Sequence, residues 1–171
     1  MNKLIALSLT AVLVAGAAQA KPVTRSSTFD GPKVTSNKTT VTDKEAGTFS
    51  SDRASTRKSD GAVATTSRDR QRTDSGVTGS GSHTGYGGKT SSYEYERTRT
   101  DGGWTTTGSG TGPNGGDYSY SGNGTRTENG GHADRSLSRN DTEVYHRTDD
   151  VSRSNGTVTR DTSVTRKQRR K

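Results

Sequence analysis

Residues 21–171 hold nine Val, two Phe, one Leu and no Ile, so this segment cannot assemble the apolar core on which most compact folds depend. Those residues make up about 8% of it, far below the roughly 20% under which disorder is the default. Six Tyr and Trp104 are the other large side chains available for burial. Thr, Ser and Gly fill the space instead, with 28, 21 and 21 residues. A helix needs an apolar stripe repeating every 3.6 residues, and none is sustained here. What recurs is period two: "KVTSNKTTVTD", "WTTTGSGTG", "DYSYSGNGTRT" and "GTVTRDTSVTR" alternate in the manner of β-strands.

Turn signals punctuate these runs. Asp30-Gly31, Asp60-Gly61, Asp101-Gly102, Asn114-Gly115, Asn129-Gly130 and Asn155-Gly156 are the dipeptides favoured by two-residue type I′ hairpins, whose central residues both need positive φ. The fold class is therefore all-β: a low-complexity antiparallel meander or stacked-hairpin array. Order is expected over 90–165, the Thr/Tyr/Gly hairpin-repeat region. Residues 21–89 have one Tyr and no Trp, and "STRKSDGAVATTSRDRQRTDSG" reads as a flexible Ser/Thr/charged stretch, so this half is expected to be loosely ordered or disordered. The alternative is a chain largely disordered throughout.

Tyrosines repeat at a fixed interval. Tyr93 and Tyr118 are 25 residues apart, as are Tyr95, Tyr120 and Tyr145 in succession. Twenty-five residues accommodate two strands and two turns, one hairpin per unit. In "YEYERTRT", Tyr93, Tyr95, Arg97 and Arg99 share one face, and Glu94, Glu96, Thr98 and Thr100 the other. An aromatic ladder of Tyr93, Tyr95, Tyr118, Tyr120 and Tyr145 is the expected substitute for an aliphatic core.

The ends address location and partners. Lys3, the apolar run "LIALSLTAVLVAGA" and Ala18-Gln19-Ala20 form a signal peptide over residues 1–20, with cleavage before Lys21. The expected destination is the periplasm or the cell exterior. No second apolar run follows, so no transmembrane segment is expected in the mature chain. With no cysteine there is no disulfide framework and no thiolate metal site. Residues 21–171 carry 25 basic and 18 acidic groups; 150–171 hold seven and two of these. The body is thus near neutral, and the cations concentrate in the tail 166–171, where Arg166, Lys167, Arg169, Arg170 and Lys171 are candidate anion-binding residues.

Catalytic constellations are missing. His83, His132 and His146 are the three histidines. A Ser-His-Asp set picked from so Ser-rich a chain carries no weight without a packed shell to position it. His132, Asp134 and His146 approach one another only across a hairpin, and no EF-hand or phosphate-loop spacing is present. The Thr-x-Thr runs lack the regular spacing of an ice-binding surface. No enzyme activity, metal or cofactor is expected.

"TGPNGG" (Thr111–Gly116), set between Thr-alternating runs, resembles a motif of uncharacterised secreted bacterial proteins built from Thr-, Gly- and Asn-Gly-rich repeats. It is intact once, and the related turns at 101–103 and 128–131 are altered. The resemblance covers at most residues 90 to 165. It implies a secreted repeat protein with no assigned activity and transfers no functional residue. Together these features point to an exported, non-enzymatic structural or adhesive protein of the bacterial envelope or extracellular matrix, self-associating through strand edges. The alternative is a periplasmic or surface protein that binds anionic polymers (nucleic acid, lipopolysaccharide or acidic polysaccharide) through its basic C-terminus.

Overall fold

The computed structural model describes residues 21–167. Residues 1–20, where the sequence leads one to expect a signal peptide, and the tail residues 168–171, with Arg169, Arg170 and Lys171, lie outside the described residues. The described chain is all-β. Eleven strands form one open antiparallel sheet in sequence order: β1 (Val23–Asp30), β2 (Val34–Asp43), β3 (Thr48–Arg57), β4 (Val63–Arg72), β5 (Gly76–Thr84), β6 (Thr90–Thr100), β7 (Gly103–Thr111), β8 (Asp117–Thr127), β9 (Gly130–Arg139), β10 (Thr142–Ser154) and β11 (Thr157–Arg166). Each strand contacts only its neighbours in sequence, and β1 and β11 do not meet.

The expectation of a loose N-terminal half, and with it that of a chain disordered throughout, is corrected. Strands β1–β5 pair in continuous register across residues 23–84. Tyr and Trp are scarce there, but a strand in a single-layer sheet is held chiefly by its two ladders, and alternation with turns is enough to form them. "SRDRQR" is part of β4, with Arg68, Arg70 and Arg72 on one face and Asp69 and Gln71 on the other.

Among the described residues there is no second layer and hardly a core. Ala64, 8% exposed, is the one buried apolar residue among those described, and no side chain there is fully buried. Cross-strand rows replace the core. One row crosses the whole sheet: Val23, Thr42, Phe49, Arg70, Gly79, Tyr95, Gly108, Tyr120, Leu137, Tyr145 and Arg166. Its rings and glycines alternate for a steric reason. The Tyr95 ring lies so close over Gly79 that a Cβ there would meet it at 2.6 Å, and Tyr93 covers Gly81 at 2.7 Å. Trp104 covers Gly124 in the same way, at 2.5 Å. Gly79, Gly81 and Gly124 are thus seats for aromatic side chains of the adjacent strand.

Two of the turns have positive φ at both central residues. Asn155 and Gly156 both have positive φ, 48° and 77°, between the paired Ser154 and Thr157, as a type I′ hairpin requires. Asn140 and Asp141 do the same, at 45° and 60°, between Arg139 and Thr142, without the glycine that marks the other turns. At Asp60-Gly61, Asp101-Gly102 and Asn114-Gly115 only the glycine is left-handed, and at Asp30-Gly31 neither residue is. A β-bulge then inserts Val144 between Glu143 and Tyr145. Because side chains alternate with period two, that extra residue decides which face receives Tyr145, Arg147 and Asp149.

The ring seats yield a test. Gly81→Val places a strong β-former in a strand and should nevertheless destabilise the sheet, by roughly 1–3 kcal/mol, because the Tyr93 ring must move. Gly87→Ala, in a turn with nothing within 4 Å of the added Cβ, should stay within about 0.5 kcal/mol of the parent. Urea denaturation followed by circular dichroism reads both.

Candidate functional site

The most organised feature of the molecule is the sorting of its two faces. Directly paired residues project to the same side of a sheet, so the register assigns every strand side chain to a face. All sixteen strand Lys and Arg residues lie on one side. They are Arg25, Lys38, Arg53, Arg57, Arg68, Arg70 and Arg72 in β1–β4, and Arg97, Arg99, Arg126, Arg135, Arg139, Arg147, Arg153, Arg160 and Arg166 in β6–β11. Every strand aromatic shares that side. The opposite face carries Ser, Thr and eleven carboxylates, and no Lys or Arg. Its carboxylates are Asp30, Asp43, Asp52, Asp69, Glu94, Glu96, Asp117, Asp134, Glu143, Asp150 and Asp161.

One acidic residue breaks the rule. Asp149 sits on the basic face and is 5% exposed. Arg147 donates to it from Nε and an Nη at 2.8 and 2.7 Å, Arg160 from an Nη at 2.8 Å, and Arg135 at 3.1 Å. The Thr162 hydroxyl donates at 2.8 Å. Three strands, β9, β10 and β11, are tied together at this carboxylate. The Arg147 bonds, helped by Thr162 and Arg160, hold its pKa well below the ordinary 3.8 against the opposing effect of burial.

All five ladder tyrosines lie on the basic face, Tyr95, Tyr120 and Tyr145 in the single row described above. They do not stack strand upon strand, because Gly108 separates Tyr95 from Tyr120 and Leu137 separates Tyr120 from Tyr145. The ring–ring pair among the described residues is Tyr93–Tyr95 along β6, with centroids 6.4 Å apart and planes 18° from parallel. Three further strand rings are met by guanidinium groups. Arg97 and Arg135 lie 4.2 and 5.7 Å from the Trp104 ring, Arg139 5.7 Å from Tyr118, and Arg166 5.9 Å from Tyr145. Of the tail candidates, Arg166 thus belongs to the sheet face, and Lys167 extends the strand, its N–H bonded to the Val144 carbonyl.

The acidic face is hollow. Three depressions of about 850, 550 and 320 Å³ run across β2–β8, and their polar side chains, among them Asp52, Asp69, Glu94, Glu96 and Asp117, belong chiefly to this face. Hydroxyl pairs cross the strands here, Ser92 with Thr111 at 3.0 Å and Ser121 with Ser136 at 2.9 Å. The histidines of β9 and β10 also lie on this side. His132 Nδ1 is 2.7 Å from Asp150, a bond that raises its pKa, and His146 Nε2 is 3.0 Å from Asp134. The hairpin therefore brings His146 to Asp134, but His132 turns to Asp150. Among the described residues no group of three or more His, Cys, Asp or Glu is arranged to hold a metal ion, and no helix is long and apolar enough to cross a membrane.

The Asp149 junction predicts an acid dependence. Its folded-state pKa is depressed, so the stability it contributes is complete above the unfolded value near 4 and is lost as pH falls. Urea midpoints measured between about pH 5 and about pH 2 should fall for the parent chain. In Asp149→Asn the midpoint should be lower at pH 5 and decline less steeply. An equal slope would remove Asp149 from the account. No known protein family, characterised protein or solved structure matches this chain, so its faces and edges alone inform its function.

Proposed function

We propose that the protein is an exported, non-enzymatic structural or adhesive component of the bacterial envelope or extracellular matrix, whose sheet is extended by further copies at its strand edges. The observation that carries this reading is the state of the edges. Every residue of β1 and β11 is exposed, including Val23, Phe29, Val158 and Val164 at 45–61%. No helix, bulge or loop among the described residues covers either strand, and uncovered edges invite pairing with another chain.

The bonding pattern shows which groups are free. Lys167 donates to Val144 within the sheet, so along β11 the odd-numbered amides face β10 and the even-numbered ones face outward. Gly31 donates to Val34, which turns the even-numbered amides of β1 outward. A two-fold axis normal to the sheet would join β11 to β11, or β1 to β1, in antiparallel fashion and keep the basic faces on one side. Ser26→Pro with Val164→Pro removes one outward donor at each edge without touching the internal ladders. The parent chain should show concentration-dependent growth by sedimentation velocity at about 1 M salt, where surface charge is screened. The double variant should not. Growth unaffected by the substitutions would refute edge pairing.

A second reading, binding of an anionic polymer, gains support from the basic face rather than from the tail alone. Sixteen cations beside exposed rings form a broad electrostatic and stacking surface. Affinity for an acidic polysaccharide should fall steeply with salt. It should drop at least tenfold in Lys38→Glu/Arg68→Glu/Arg70→Glu, and much less on removal of residues 166–171. The reverse order would return the site to the tail.

A further inference from the structure

The two faces are complementary to each other, and within one copy they cannot meet. Arg68, Asp69 and Arg70 are adjacent in sequence yet project to opposite sides, and the same holds for Glu96 and Arg97. On the acidic face, Asp52, Asp69, Glu94, Glu96 and Asp117 make no ion pair with any described residue. On the basic face, Lys38, Arg68 and Arg70 likewise make none, and all three are exposed. The charges that would neutralise one side are held on the reverse of the same sheet.

We infer that a second copy of this chain docks by its basic, aromatic face into the hollow acidic face of the first, so that copies stack face to back. Three observations select this occupant. Charge is complementary, with sixteen cations and one already-neutralised carboxylate facing eleven carboxylates and no Lys or Arg. Relief is complementary, because the depressions lie on the acidic face and the large rings and long cationic side chains stand on the basic one. Area is sufficient. Eleven strands spaced about 4.8 Å apart, each about ten residues long at about 3.3 Å per residue, give a face of roughly 1,500 Å². A stable interface needs about 800 Å² per partner. A translation of about 10 Å, the ordinary spacing of stacked sheets, brings Arg68 and Arg70 of one copy over Asp69 of the next, and Tyr95 and Arg97 over Glu94 and Glu96. The contact is heterologous and does not close on itself, so it propagates.

This inference shares with the edge reading only that copies associate, and the two fail separately. The experiment uses the full mature chain carrying the edge prolines, so that growth through β1 and β11 is blocked. At about 0.01 M salt it should form large species by sedimentation velocity, and these should revert to monomer at about 1 M, where the screening length is about 3 Å. Two charge-reversed forms then isolate the faces. Asp69→Lys/Glu94→Lys/Glu96→Lys spoils the acidic face, and Lys38→Glu/Arg68→Glu/Arg70→Glu spoils the basic one. Each alone should remain monomeric at low salt. Mixed in equal amounts they should again form large species, because each retains one good face and the two reversed faces are complementary to each other. Circular dichroism confirms that both remain β-sheet. Should either fail to fold, the salt titration of the edge-blocked chain decides. A monomer at low salt overturns the proposal, as does a mixture that fails to pair. Polyglutamate binding to a chain that stays monomeric would likewise overturn it and assign the basic face to an external polyanion.

Discussion

The backbone ladder holds this molecule together, because there is nothing else of comparable extent. A β-sheet ordinarily buries one face against a second layer, and that burial fixes which residues point inward. Here the described residues form no second layer, and their buried apolar set reduces to Ala64. Each strand is therefore stabilised by its two neighbours and by whatever its side chains find across the ladder. The alternation that usually separates apolar from polar is freed to separate one charge from the other.

Where the ladder is reinforced, it is by paired shapes rather than by bulk. Tyr93, Tyr95 and Trp104 have flat seats because the facing strand offers glycine. Glycine weakens a strand in isolation, but opposite a large ring it admits close contact that any Cβ would forbid. Guanidinium groups then lie against Trp104, Tyr118 and Tyr145, so the apolar faces of the rings are covered by cations in place of aliphatic side chains. At β9–β11, where glycine is scarcer, the Asp149 carboxylate links three strands through Arg135, Arg147 and Arg160. These devices are local, and each joins neighbouring strands only, which is why the sheet needs no closure.

Much of this was legible in the sequence. Period-two runs and Gly-bearing turns gave the all-β class, and the face assignment in "YEYERTRT" was read directly. The errors came from summing properties that geometry divides. The body sums to near neutrality because stretches such as "SRDRQR" interleave their charges, yet in a strand interleaving is segregation, and Arg68 and Asp69 never share a surface. The N-terminal half was judged loose by its lack of rings, although its alternation matched that of the other half. Asn140-Asp141 lacks the glycine that marks the other turns, yet Asn and Asp also tolerate positive φ. Asp149 could not be placed without the bulge at Val144. One extra residue there sends it to the basic face, and an unbroken register would have sent it to the acidic one.

The sorting has a cost that a solitary sheet would not accept. Cross-strand neighbours of opposite charge stabilise a sheet, and like charges directly opposite destabilise it. This chain places Lys38 opposite Arg53, Arg135 opposite Arg147, and Asp150 opposite Asp161. Alternating signs within each face would have offered many favourable pairs at no change in composition. Of all the strand charges, Asp149 alone follows that arrangement, and it is also the most thoroughly bonded side chain described. A pattern that forgoes pairing inside the monomer across eleven strands is explicable if the pairing is made outside it. The compensation must then come from a surface of opposite sign and similar extent, and the nearest such surface is the other face of an identical chain.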